Sequence, residues 1–206
     1  MRKFLTIALI SFVSIVYAQN TTNNTNNTNT KKAKLPNGFE KVSWGTLLSK
    51  AKSNVKGKIS FSDDKTLIVS KIDDITYYYG FFHIDLEKMK QVRGADKIPK
   101  DAPDEGKLFY VAIEFPYVDK DLILKKITTR FGKPSTENIL DNQGSISWDS
   151  DKTILVLWVD KFENKPYSRR ITYVSKDIAK EVNTYYDDFF KYKEKNTIRK
   201  LLETAK

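Results

Sequence analysis

The chain has 206 residues, with 36 lysines and arginines against 26 aspartates and glutamates, for a net charge of +10. It has no cysteine, which excludes disulfides, thiolate metal sites and acylation at a cysteine. The length suffices for one domain with a substantial core, and the basic surplus suits either an anionic partner or a solvated lysine surface.

Residues 1–18, MRKFLTIALISFVSIVYA, read as a secretory signal peptide. Arg2 and Lys3 form its charged start, Phe4 to Val16 its apolar run, and Val16-Tyr17-Ala18 an A-x-A-like cleavage site. The apolar run falls short of the about 20 residues that span a bilayer. Cleavage leaves 34 cations against 26 anions, or +8. No later segment is long and apolar enough to cross, so no transmembrane segment is expected after cleavage. The expectation is an exported chain, periplasmic or secreted, for which nucleic acid is not a partner. Residues 19–34 form an Asn/Thr-rich linker with almost nothing apolar to bury, and disorder is expected there.

Residues 35–206 read as a single globular domain. Ser43 caps a helix expected from Trp44 to about Val55, with Trp44, Leu47, Leu48 and Ala51 on one face. Gly57 ends it. Lys58–Ser62 and Thr66–Lys71 are strands about an Asp63-Asp64-Lys65 turn, and Ile75–Ile84, ITYYYGFFHI, is an aromatic strand. Leu86–Val92 fits one or two helical turns. Gly94, Pro99, Pro103 and Gly106 make the following stretch a loop. Lys107–Phe115 is a strand that Pro116 is expected to stop. Asp119 then caps a helix over Lys120–Arg130, which Gly132 and Pro134 terminate. Ser145–Asp149, Lys152–Asp160 and Tyr167–Ser175 are strands. The one over Lys152–Asp160 is apolar on both faces and is expected to be central. Residues 177–205 form a C-terminal helix. The fold class is α+β.

Residues 59–70, ISFSDDKTLIVS, echo residues 146–157, ISWDSDKTILVL, and Ile75-Thr76-Tyr77 echoes Ile171-Thr172-Tyr173. The echo predicts two tandem α-β-β-β repeats, about 39–84 and 117–175, forming a mostly antiparallel sheet. Phe131-Gly132-Lys133-Pro134 after an amphipathic helix, followed by strands with a Trp, and Val42-Ser43-Trp44-Gly45 at the start of the first repeat, resemble the helix-plus-sheet modules of SmpA/BamE-like envelope proteins and of the β-lactamase-inhibitor-protein family. That resemblance implies a non-enzymatic protein that binds other envelope proteins through its sheet face. The missing cysteine and the two modules depart from the SmpA/BamE pattern, which carries one module on a lipid anchor.

No phosphate loop, dinucleotide fingerprint, calcium loop or nucleophile elbow occurs, so no catalytic residue, metal or cofactor is assigned. His83 is the only histidine and falls among aromatics in a strand. Asp63/Asp64, Asp73/Asp74 and Asp149/Asp151 lie in turns, and Asp64 matches Asp151 between the repeats, which suits a shared turn role. Two groups remain as binding candidates. Tyr77, Tyr78, Tyr79, Phe81 and Phe82 are either core or a recognition surface, depending on whether the C-terminal helix covers their second face. Lys125, Lys126, Arg130 and Lys133 are the densest basic patch. The function expected is a non-catalytic binding protein of the cell envelope. It would act by protein–protein contact through the aromatic sheet face, assisted by positive charge. Two alternatives are a binder or carrier of an anionic envelope ligand, with an anionic polymer or lipid headgroups as partners, and a hydrolase using His83 or one of the Asp pairs.

Overall fold

Ile68, Tyr79, Val111, Tyr173, Leu155 and Trp148 lie side by side across six antiparallel strands, every one of them buried. Alternation sends every second residue of each strand to the same side, so one such row fixes which half of each strand pattern faces the core. The computed structural model describes residues 34–93 and 104–204, and these belong to one unit, Lys32–Lys206. The expected signal peptide, all but the last residue of the linker, and most of the loop after Arg93 lie outside the described residues.

In chain order the elements are β1 (Gly38–Phe39), β2 (Val42–Ser43), α1 (Leu48–Ala51), β3 (Lys58–Ser62), β4 (Leu67–Ile72), β5 (Ile75–Phe82), α2 (Leu86–Arg93), β6 (Lys107–Asp119), α3 (Lys120–Phe131), β7 (Thr136–Leu140), β8 (Gln143–Asp149), β9 (Thr153–Phe162), β10 (Lys165–Ser175) and α4 (Lys176–Thr204). Strands β3 to β10 form an eight-stranded sheet in the order β3-β4-β5-β6-β10-β9-β8-β7, with every pairing antiparallel. The class is α+β with a C-terminal helix, as the sequence indicates.

One side of the sheet is the core. Phe39 of the small β1-β2 hairpin sets its ring among Tyr77, Tyr79 and Tyr173 at 6.0, 6.0 and 5.2 Å. Leu48 and Ala51 of α1, and Ile127 and Phe131 of α3, complete the same cluster. The Trp148 indole donates to the Gly132 carbonyl at 2.8 Å, fastening the end of α3 to β8. Thr153 accepts from the Trp44 indole at 2.8 Å and donates to the Pro36 carbonyl at 2.6 Å, which ties the start of the body to β9. On the other side Ile178, Ala179 and Val182 of α4 are buried, as is Met89 of α2.

Several elements differ from their expected bounds. The helix expected over 44–55 is only the single turn α1, because Gly45 at φ +82° and Leu47 in an extended conformation hold the preceding residues out of helix. Pro116 does not stop β6. Beyond Glu114 the strand no longer pairs with β5, and against β10 its register shifts, so Glu114 faces Arg170 while Val118 faces Ser168. The proline falls in that irregularity, where no ladder donor is needed. Strand β7 falls where the sequence leads to no expected element. It is a sheet edge, exposed along most of its length, and therefore lacks the alternation that marks a half-buried strand. Strand β5 ends at Phe82, so His83 lies beyond it rather than inside. Strand β9 is fully buried on its core side, but Ile154 and Trp158 on its other side are only half-buried.

Candidate functional site

The second side of the sheet is built from small residues overlaid by large ones. Across all eight strands one row reads Phe61, Val69, Tyr78, Ala112, Thr172, Val156, Ser147 and Thr136. The next reads Thr76, Glu114, Arg170, Trp158, Ser145 and Asn138. Ala112, Thr172, Val156, Ser147 and Ser145 are buried, whereas Tyr78, Glu114, Arg170 and Trp158 remain half-exposed and Phe61 exposed. On a pleated surface a tall side chain beside a short one leans over it, and the exposed layer here is aromatic and arginine-rich.

These side chains hold one another. The Tyr78 hydroxyl donates to Glu114 Oε2 at 3.1 Å, and the Trp158 indole donates to Thr172 Oγ1 at 3.0 Å. The Arg170 guanidinium lies 4.8 Å from the Trp158 ring. Partial burial, reinforced by the Glu114 charge, raises the Tyr78 phenol above its ordinary pKa, so at neutral pH it is a donor.

Strands β6, β9 and β10 run on past the end of β5, and the strip continues there. Tyr117 stacks with Phe162 at 6.0 Å, and both meet Tyr167 edge-on at 6.3 and 6.2 Å. Tyr117 and Phe162 are 52% and 54% exposed, with Phe61 at 51% the most uncovered rings among the described residues. Arg169 caps the Tyr117 ring at 5.4 Å, and its hydrogen bond with Tyr117 raises its own pKa further. Rings and guanidinium groups fixed in mutual contact lose little freedom on docking, and such groups supply much of the energy at protein contacts.

The candidates from the sequence divide between the two sides. Tyr77, Tyr79 and Phe81 face the core and are buried. Burial pushes the Tyr79 phenol up to about 12, and its oxygen accepts from the Lys56 amide at 2.9 Å. Tyr78 is on the second side and partly open. Phe82 is also there, but it is buried against Tyr185 of α4 at 5.7 Å and Phe109 at 6.4 Å. The C-terminal helix thus covers one end of that face and leaves Tyr78 half-exposed. Lys125, Lys126, Arg130 and Lys133 are exposed on α3 and just after it, on the core side of the sheet, so the basic patch and the aromatic strip do not form one surface. The sequence reading missed Tyr117, Trp158, Phe162, Tyr167, Arg169 and Arg170. Two arginines inside a strand otherwise apolar on alternate positions were the available signal.

The acidic residues serve the turns. Asp63 accepts from the amides of Lys65, Thr66 and Leu67 at 3.1, 2.7 and 2.8 Å, and from the Thr66 hydroxyl. Partial burial opposes its ionisation, but these bonds outweigh it and hold the carboxyl below the ordinary range. The residue matching Asp63 in the second hairpin is Ser150, whose hydroxyl accepts from the Thr153 amide at 3.1 Å. Asp64 pairs with Lys52 at the surface. His83 Nε2 lies 3.1 Å from Asp104, which also pairs with Lys65 at 3.0 Å. Among the described residues no group of three His, Asp or Glu is arranged to hold a metal ion, and no helix is long and apolar enough to cross a membrane. No protein-family model matches the chain, and neither a curated protein nor a solved structure matches it.

Proposed function

We propose that this protein is a non-catalytic binding protein that acts by protein–protein contact through the open aromatic side of its sheet. The observation that carries the reading is the continuous strip of Tyr78, Glu114, Arg170 and Trp158 running into Tyr117, Phe162, Tyr167 and Arg169. Tyr, Trp and Arg dominate the energetics of protein interfaces, and here they are exposed or half-exposed and already ordered by one another. Export to the cell envelope is part of the proposal and rests on the signal-like residues 1–18.

The two-repeat origin belongs to the same proposal. The echoing segments are the hairpins β3-β4 and β8-β9, each followed by a strand, β5 or β10, that pairs with β6. The placement is symmetric about β6, with β7 added at one edge. A repeat of this kind would give the two-module organisation that the SmpA/BamE-like and inhibitor-protein resemblance implies.

The test is a photo-crosslinking amino acid placed at Tyr78, at Tyr117 and, as a control, at Lys180 on α4. The expected result is one dominant protein captured at the first two positions, absent at the third, and lost when Trp158→Ala is added. Capture that is equal at all three positions, or indifferent to Trp158→Ala in a folded protein, would sink the reading.

A further inference from the structure

The chain layer over the core side of the sheet is strongly basic, and the helix layer over the other side is not. Residues 34–57 and 119–135, which supply the first layer, carry ten lysines and arginines against three carboxylates. Residues 86–93 and 176–194, which supply α2 and the first part of α4 over the other side, carry seven against six. Within the basic layer Lys52, Lys56 and Lys120 pair with Asp64, Glu40 and Asp121, while Lys41, Lys50, Lys125, Lys126, Arg130 and Lys133 have no carboxylate partner among the described residues. A surplus of cations on one side creates a field that draws anions to that side.

Leu122 is 61% exposed and stands one helical turn before Lys125 and Lys126, so it shares their face of α3. The folded body also begins on this side. Leu35 packs against the core cluster there, and the residues just before it in sequence are Lys31, Lys32 and Lys34. We infer that this basic side is the surface by which the protein lies on an anionic lipid bilayer. The headgroup phosphates meet the cations of α3, and Leu122 enters the headgroup–acyl boundary. A soluble polyanion would use the same cations but would have no use for an exposed leucine between them. The inference does not rest on the protein-contact reading, and it leaves the aromatic strip on the far side of the sheet, free for a partner.

The test is vesicle flotation of the purified full chain with phosphatidylglycerol vesicles and with phosphatidylcholine vesicles. The apolar residues 4–16 are present in both arms, so the comparison isolates charge. The anionic vesicles should bind more tightly, by roughly fivefold for each engaged cation, and the preference should shrink as salt rises. The double variant Lys125→Gln, Lys126→Gln should lose roughly fivefold per charge removed. Leu122→Ser should weaken binding without changing its salt dependence, and Lys180→Gln should behave as wild type. These substitutions are at exposed positions, and a thermal melt of each variant checks that it is folded. Equal binding to both vesicles, or an undiminished preference in the folded double variant, would overturn the inference. Wild-type vesicle binding by Leu122→Ser, together with tight binding of soluble polyphosphate, would overturn it in favour of an anionic polymer.

Discussion

Asp63 and Asp64 are chemically alike and adjacent, yet only one holds the structure. Asp63 collects three backbone amides and a hydroxyl, so Asp63→Ala leaves several donors of a tight turn without their acceptor. It should cost about 1–3 kcal/mol in a denaturant melt. Asp64→Asn, at a residue whose φ of +65° asparagine tolerates, should leave the melt unchanged. The same contrast applies to the aromatics. Trp158→Ala and Arg170→Ala remove half-exposed side chains that pack on each other, and each should weaken partner binding by about 2 kcal/mol or more with little loss of stability. Tyr79→Phe should do the reverse, because Tyr79 is buried and its hydroxyl bonds within the core side, to the Lys56 amide and the Ser70 side chain. The sequence marks all these residues as turn or strand material. It pairs Asp64 with Asp151 by identity, whereas the side chains doing the corresponding work are Asp63 and Ser150. Identity between two short segments reports ancestry or composition, and hydrogen-bond geometry decides the role.

At the scale of elements, local periodicity carried most of the fold. Strands β4, β5, β8, β9 and β10 and helices α3 and α4 lie within a few residues of their expected bounds, since each has an apolar face that alternation or helical spacing reveals. Asp119 caps α3 as expected, accepting from the amides of Asp121 and Leu122 at 2.8 and 3.3 Å. What escaped was the edge strand β7, whose TENIL buries too little to show a pattern, and the open side of the sheet. Alternation shows that Tyr78 and Trp158 share a side, but only the landing place of α4 decides which part of that side stays uncovered. Strand β7 is held close to β8 by a glycine. Gly144 has φ +143°, and a Cβ there would sit 2.0 Å from the Asn138 carbonyl oxygen. Gly144→Ala should therefore cost about 1–3 kcal/mol in a thermal melt and speed amide exchange in β7, while exchange in β5 stays slow.

For the molecule as a whole, the two sides of one sheet divide the chemistry. The core side is sealed under α1, α3 and the β1-β2 hairpin, and it includes tyrosines whose hydroxyls are withdrawn from water. Burial pushes both Tyr79 and Tyr173 up to about 12. In the unfolded chain each titrates near its ordinary value of about 10. Below that value both states keep the protons, and the full stability is present. As pH rises from about 10 towards about 12, the unfolded chain sheds these protons while the folded one retains them. The unfolded state then binds fewer protons, and stability falls with pH until the native phenols also ionise. Together the two tyrosines should remove roughly a few kcal/mol over that window. Melting temperatures followed from pH 8 upward, read beside tyrosinate absorbance, should hold steady to about 10 and then drop. Lysines lose charge in the same range, so the deciding comparison is Tyr79→Phe with Tyr173→Phe. That variant should start less stable and decline more gently. A decline as steep as in the wild type would show that the core tyrosines are not what alkali attacks.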